Sequence, residues 1–307
     1  MNTFKHALTV ILVTFISGIP AGTELPQDQN QTPDLAALLK KAAAYCSKLE
    51  SAALDYICKE EIVEVIDPRL DQSKSRKPLS TWTSVRTQAN ASAGLDETRT
   101  AIAVVPSAPK IKRTLIYDYQ CIRSGGEISE VRNLLQENRK KVNEPNAKLK
   151  TLNFLFGYVL MAPVGIFADS SQPYYDYRIV GRDKIQRRPA VIIDVTPKPD
   201  APEARNLYGK AWIDAATGDI LKIQWSEKRV NHYEITLKRA EQYDRKARLT
   251  ILSDFQVEKN GIRFPSKLFI EEAYVSEGGL VFVRSKTDVT YKDFKFFTVA
   301  TEPKIIR

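Results

Sequence analysis

The chain has 307 residues and a mass of 34.7 kDa, enough for one large domain or two small ones around a substantial core. Its 46 Lys and Arg against 37 Asp and Glu give a net charge of +9, which favours anionic surfaces but does not determine a fold. The only histidines are His6 and His232, and His6 lies in a segment that we expect to be removed. This composition disfavours a histidine-based metal site or a Ser/His/Asp triad, because either would have to rest on His232 alone.

The N-terminus is typical of an export signal. A short basic stretch with Lys5 precedes an apolar run at 7–19, which is too short to span a bilayer, and Pro20 then breaks the run. Ile19 and Ala21, three and one residues before Gly22, predict cleavage after Ala21. We therefore expect a signal peptide at 1–21, a flexible mature N-terminus at 22–31 and a periplasmic or secreted protein. An uncleaved N-terminal membrane anchor is the alternative.

The cysteines are interpreted in light of the oxidising compartment that export implies. Cys46 and Cys58 flank a helix-to-strand turn, and a disulfide between them would close a loop of about 13 residues and contribute about 3 kcal/mol. Cys121 shares one side of its strand with Tyr119, which favours a buried small hydrophobe over a nucleophile. A Cys58–Cys121 pairing remains open.

The chain begins its regular structure with one helix and one strand. Thr32 as N-cap and Pro33 in the first helical position predict a helix that runs to Leu49, with apolar residues at helical spacing. From Tyr56 to Ile66 the period changes to two, which predicts a strand. The range 67–113 is poor in large apolar residues, and we expect a mobile basic excursion with a short strand near 79–86.

Antiparallel hairpins are predicted for the rest of the chain. The turn segments lie at 124–126, 186–189, 215–219, 259–262 and 278–279. Asn260-Gly261 is the preferred pair for a type I′ turn. These turns separate about ten or eleven strands, and regular hairpins without intervening helices favour a meander over a parallel α/β sheet.

The segment 152–167 interrupts this pattern, because it is apolar on almost every side. A helix without a polar face must be enclosed. The segment is too short to cross a membrane and is broken by Gly157, Pro163 and Gly165. We therefore expect an apolar helix inside the curve of the sheet.

These elements predict a mainly β (α+β) fold. A large curved antiparallel sheet would form an unclosed half-barrel, with the N-terminal helix and the apolar internal helix on its concave side. Residues 32–307 would form this single domain, including the excursion at 67–113.

Four segments resemble bacterial secreted proteins of the lipoprotein-carrier (LolA/LolB-like) superfamily. They are the helix-to-strand opening with Cys46 and Cys58, the Tyr117-Asp118-Tyr119 hairpin, the stretch from Gly209-Lys210-Ala211-Trp212-Ile213-Asp214 to Trp225, and the turn Asn260-Gly261-Ile262-Arg263-Phe264-Pro265. The resemblance implies an unclosed barrel whose concave face takes up acyl chains of lipids or lipoproteins. The chain is longer than the compact carriers because of the excursion, and no motif carries over a binding residue.

A cavity that buries an acyl chain gains about 0.8 kcal/mol per CH₂ without any polar chemistry. The candidate wall residues on the internal helix and the sheet are Phe154, Phe156, Tyr158, Leu160, Met161, Trp212, Ile223 and Trp225. Packing of the same residues as ordinary core is the alternative. The expected partner is a lipid or lipoprotein acyl chain, with an anionic membrane surface or a protein partner as further options. No nucleic acid, cofactor or metal is expected, and the protein is expected to be a monomer.

An enzyme is the competing class, and the sequence disfavours it. The neighbours Glu60-Glu61 and Glu271-Glu272 would point to opposite faces of a strand, so neither pair forms an acid/base couple. The sequence also lacks Gly-x-Ser-x-Gly, phosphate-loop, His-Glu-x-x-His and Cys-x-x-Cys motifs. The remaining alternatives are a periplasmic scaffold or stress sensor that recognises a protein, and a secreted hydrolase that uses distant Asp and Glu residues.

Overall fold

The computed structural model describes residues 34–71, 108–124, 127–202, 204 and 206–296. All of them belong to one compact unit. The predicted signal peptide, the residues 22–31 and most of the basic excursion, including its predicted strand, lie outside the described residues.

An eleven-stranded antiparallel sheet dominates the fold. The described residues form thirteen strands in all, which are β1 (Tyr56–Ile66), β2 (Ile111–Ser124), β3 (Glu127–Glu137), β4 (Lys140–Glu144), β5 (Tyr175–Ile185), β6 (Arg188–Pro197), β7 (Gly209–Asp214), β8 (Ile220–Trp225), β9 (Lys246–Asp254), β10 (Val257–Lys259), β11 (Ile262–Phe264), β12 (Lys267–Val275) and β13 (Val281–Phe296). Their order in the sheet is β4-β3-β2-β1-β13-β12-β9-β8-β7-β6-β5, and β10 and β11 form a separate hairpin. Because the edge strands β4 and β5 do not pair with each other, the curved sheet stays open, and the predicted mainly β fold with an unclosed antiparallel sheet is confirmed.

Tight turns set the register of this meander where the backbone takes positive φ. Asn260 and Gly261 have φ values of 52° and 71°, as the predicted type I′ turn requires. Gln186 and Arg187 adopt the same left-handed region, with φ values of 50° and 69°. The β5–β6 turn is therefore two residues shorter than predicted, because β6 already begins at Arg188.

Helix α1 (Leu35–Ala52) covers part of one sheet face, called the inner face below. Its N-cap is Asp34, whose carboxylate accepts a hydrogen bond from the Ala36 amide at 3.0 Å; the predicted N-cap Thr32 lies outside the described residues. The helix also runs three residues past the predicted end at Leu49. Its buried residues are Leu38, Ala42, Ala43, Tyr45, Cys46 and Leu49.

The predicted helix at 152–167 is wrong except for its last turn. Only α2 (Val164–Phe167) is helical, and the residues before it are irregular. Pro163 cannot donate a backbone hydrogen bond, and Tyr158 has a φ of 53°, outside the right-handed helical region. We call residues 150–168 the strap.

A third helix, α3 (Tyr233–Gln242), lies between β8 and β9, where only strands and turns were predicted. Only two of its residues, Thr236 and Ala240, are buried. No helix within the described residues is long and apolar enough to cross a membrane.

The predicted disulfide between Cys46 and Cys58 is also wrong, because both thiols are free. Cys46 lies inside α1, about 9 Å before the end of the helix at a rise of 1.5 Å per residue, and not at the turn. The Cys46 thiol is close enough to Glu50 and Asp169 to be affected by their charges. The Cys58 thiol is instead affected by Glu60 and Cys121, so the two side chains occupy different surroundings.

Cys58 and Cys121 do not pair either. Cys58 lies opposite Tyr119, so Cys121 is its diagonal neighbour across the β1–β2 ladder. Diagonal positions are about 7–8 Å apart, beyond the usual span of a disulfide. Cys121 is 1% exposed, and burial raises the pKa of its thiol to about 11, as befits a small buried hydrophobe.

Candidate functional site

A cavity of about 1080 Å³ lies on the inner face of the sheet, between the strap and α3. Its floor comes from β8, β9, β12 and β13. One wall is the strap, and the other wall is α3 with the turn that precedes it. Elements far apart in sequence therefore form the cavity.

The floor is built by the two-residue period of neighbouring strands. Ile251 and Ser253 of β9 and Leu268 and Ile270 of β12 line the cavity, and the register pairs Ile251 with Ile270 and Ser253 with Leu268. Trp225 of β8 lies opposite Ile251, and its indole Nε1 donates a hydrogen bond to Ser253 Oγ at 2.9 Å. This contact fixes the large ring against the apolar floor.

The strap is held by acceptors on the sheet instead of by helical hydrogen bonds. The carboxylate of Glu64 accepts hydrogen bonds from the amides of Leu152 and Asn153, at 2.8 and 2.9 Å. The hydroxyl of Tyr117 accepts one from the Lys150 amide at 3.1 Å. These amides are satisfied without a helix, which explains why an apolar segment remains irregular here.

Glu130 fixes the middle of the strap. Its carboxylate accepts hydrogen bonds from the Tyr158 amide and from the Tyr119 hydroxyl, and it pairs with Arg132 at 3.0 Å. Phe154 and Phe156, between these anchors, and Met161 and Val164, beyond Tyr158, line the cavity. The strap thus bonds to the sheet through its backbone and lines the cavity with apolar side chains.

The opposite wall carries both apolar and basic side chains. Val230 and Ile235 line the cavity beside Thr236, and Ile235 is 44% exposed. Arg229 lies in the turn before α3, Arg239 lies on α3, and both also line the cavity.

One end of the cavity is a buried ion-pair cluster. Arg284 donates hydrogen bonds to Asp71 at 2.5 and 3.2 Å, to Glu272 at 2.7 Å and to the amide oxygen of Asn153 at 2.6 Å. Burial opposes the charge on Arg284, but Asp71 and Glu272 outweigh it and raise its pKa. Arg239 approaches Glu272 at 3.8 Å, beyond hydrogen-bond distance.

A second buried polar network lies beside the strap under β1. Glu60 accepts hydrogen bonds from Arg132 at 2.6 and 3.1 Å and from the Tyr291 hydroxyl at 3.0 Å. Burial raises the pKa of Glu60, and the hydrogen bonds from Arg132 oppose that shift. Through Arg132 the network connects to Glu130 and so to the strap.

The sequence shows the carboxylates of β1, but it does not show which face of the strand is buried. The buried face of β1 contains Tyr56, Cys58, Glu60, Ile62, Glu64 and Ile66, whereas its apolar Ile57, Val63 and Val65 are on the other face. Buried partners on other strands determine which face of β1 is buried. The expectation that Glu271 and Glu272 point to opposite faces agrees with the structure, because Glu272 is buried and Glu271 pairs with Arg248 at 2.9 Å.

The candidate wall residues predicted from the sequence fall into two groups. Those lining the cavity are Phe154, Phe156, Tyr158, Met161 and Trp225. Those elsewhere are Leu160, Ile223 and Trp212. Leu160 and Ile223 are fully buried in the core, and Trp212 donates from Nε1 to the exposed Asp183 on the other face at 2.9 Å.

The charged residues of the cavity were not predicted from the sequence: Arg229, Arg239, Glu272 and Arg284. A hydrophobic search could not find them, and no local motif marks them. Arg284 and Glu272 lie 12 residues apart on paired strands, so only the register brings them together. Within the described ranges, no group of three or more His, Cys, Asp and Glu side chains is arranged to hold a metal ion.

No protein-family profile and no curated protein matches this sequence. Solved structures with similar folds include a DUF1329 family protein from Desulfovibrio piger, at 10% identity over 88% of this chain and 96% of that one, with a TM-score of 0.36. A LolA superfamily protein from Nitrosomonas europaea matches at 12% identity over 86% and 94%, with a TM-score of 0.36. An outer membrane lipoprotein-sorting protein domain from Vibrio parahaemolyticus matches at 9% identity over 86% and 95%, with a TM-score of 0.37.

Proposed function

We propose that this chain is an exported, non-catalytic binding protein that holds the apolar chain of a lipid or lipoprotein between its curved sheet and the strap. The observation that supports the proposal is the cavity of about 1080 Å³ with aromatic and aliphatic side chains on its floor and both walls. Pockets of this kind bind by removing apolar ligand surface from water, with a few polar groups that orient the ligand.

The energetics suit an acyl chain. Each buried CH₂ contributes about 0.8 kcal/mol, so a chain of about ten carbons gains about 8 kcal/mol before the loss of ligand freedom is subtracted. Trp225, Ile251 and Ile270 supply floor contacts, and Phe154 and Phe156 supply contacts from the strap. No covalent step is needed for such binding.

The strap also presents apolar side chains to solvent. Leu152, Leu155 and Tyr158 line the cavity and are 52%, 79% and 49% exposed. Exposed apolar residues at the rim of a pocket are typical of sites that meet a hydrophobic partner. They favour uptake of the ligand from a membrane or from another carrier past the strap.

The test is ligand recovery together with a blocking variant. Native mass spectrometry and organic extraction of the mature protein should recover an apolar ligand, and delipidated protein should take up a fluorescent fatty-acid probe. Ile251→Trp places a larger ring on the cavity floor, where it obstructs the ligand's chain, and should weaken probe binding about tenfold or more, which corresponds to 1.4 kcal/mol. The matched control is Leu252→Trp, because Leu252 lies next along β9, is half-buried and does not line the cavity.

Unchanged probe binding by Ile251→Trp would contradict this site. Protein recovered without lipid that also fails to take up the probe would contradict the function, and would favour the protein-recognising scaffold. Export is tested separately: the protein recovered from the periplasm or medium should begin at Gly22, and a chain that retains residues 1–21 would contradict the cleavage.

A further inference from the structure

The α3 side of the cavity holds two basic side chains whose charges are poorly matched. Arg229 and Arg239 both line the cavity and are half-buried. Among the described residues that line it, the ionised side chains are these two arginines, Arg284 and Glu272. The lining therefore contains three cations and one anion.

The partners of these groups differ. Arg284 is well paired, because Asp71, Glu272 and Asn153 accept four hydrogen bonds from it. Among the described residues, the one acidic group near Arg239 is Glu272 at 3.8 Å, and that carboxylate already accepts from Arg284 at 2.7 Å.

Arg229 forms no ion pair with any described residue. It stacks over the Tyr208 ring at 5.6 Å from the ring centre. Its guanidinium N–H groups therefore remain available to an acceptor that enters the cavity.

On the basis of the proposed function, we propose that the ligand is an amphiphile with an anionic headgroup, a carboxylate or a phosphate, which Arg229 and Arg239 bind while the chain occupies the apolar cavity. A guanidinium presents a planar set of donors that matches both oxyanions. Glu272 is the carboxylate that faces this group, and its hydrogen bond with Arg284 offsets its repulsion of an anion. The apolar floor and the basic wall thus recognise the two ends of one molecule.

The experiment compares dodecanoate with dodecanol, which have the same chain and differ in the charge of the head. Binding of each is measured by isothermal titration calorimetry on delipidated protein at neutral pH. Arg229→Gln/Arg239→Gln removes the two cavity cations. The matched control is Lys228→Gln/Lys238→Gln, which removes the same charge from the adjacent, exposed residues outside the cavity. Acetate tests whether the head binds without a chain.

The wild-type protein should bind dodecanoate about tenfold more tightly than dodecanol, since a charged hydrogen bond contributes about that factor. The arginine variant should bind dodecanoate no more tightly than dodecanol. The lysine variant should keep the wild-type preference, and acetate should not compete. Arg229→Gln alone, which breaks no ion pair with a described residue, should reduce the preference if the double variant does not fold.

Equal wild-type affinities for dodecanoate and dodecanol would overturn the headgroup inference but leave the proposed function intact. A lysine variant that loses the preference, or acetate that competes as well as dodecanoate, would also overturn it. Binding of neither amphiphile would instead contradict the proposed function itself.

Discussion

The two helices that face the inner side of the sheet cover it in different ways. Helix α1 buries six residues, and its core positions Ala42, Cys46 and Leu49 are each 0% exposed. Helix α3 buries only Thr236 and Ala240, and its Ile235 and Leu237 are 44% and 42% exposed. The same curved sheet is thus packed like an ordinary core under α1 and left open beside α3, where the cavity lies. One sheet forms both a packed core and an open cavity because its helices differ in how completely they cover it.

The largest effect on stability is expected where the buried charges hold the packed region together. Glu60→Gln leaves Arg132 without its buried charge partner and should reduce the free energy of unfolding by about 3–5 kcal/mol. Glu61→Gln is the matched control, because its pair with Lys292 is on the other face and partly exposed, so the loss should be about 0–1 kcal/mol. Urea unfolding of both variants measures the difference, and equal losses would show that the Glu60 network contributes no special stability.

Leucine truncation compares the packed and the open region directly. Leu49→Ala, on the buried face of α1, should reduce the free energy of unfolding by about 2–5 kcal/mol, because close neighbours surround the side chain. Leu268→Ala, on the cavity floor, should cost about 1–2 kcal/mol in ligand-free protein, because one side of Leu268 faces open space. A loss for Leu268→Ala as large as that for Leu49→Ala would mean that the cavity floor is packed like the core.

The reactivity of the three cysteine thiols can be compared in unfolded and folded protein, with no change in stability expected. Protein unfolded without a reductant should titrate three free thiols, because Cys46, Cys58 and Cys121 are all unpaired. Folded protein at neutral pH should react at none of them, since all three are buried and burial raises their pKa values above the usual thiol value. A single free thiol in unfolded protein would show that two of the cysteines form a disulfide, and would contradict the packing of α1 against the sheet.

Local signals predicted much of the fold. The two-residue alternation of β1 and the Asn260-Gly261 turn follow from a few neighbouring residues, and both are found in the structure. The strap could not be predicted in this way, because Glu64 and Glu130, remote in sequence, accept the amide hydrogen bonds that a helix would use internally. For the same reason the sequence suggested Trp212 and Trp225 as equivalent candidates, although strand register places only Trp225 in the cavity.

The most direct test of the central claim uses these two tryptophans as reporters. One single-tryptophan protein, Trp82→Phe/Trp212→Phe, retains Trp225 in the cavity, and its counterpart, Trp82→Phe/Trp225→Phe, retains Trp212 on the other face. Titration with a bromine-labelled fatty acid should quench Trp225 and saturate near one equivalent, because bromine must come into close contact with the indole, and it should leave Trp212 bright. Equal quenching of both, or none of Trp225 while the labelled fatty acid binds, would contradict an apolar ligand in this cavity.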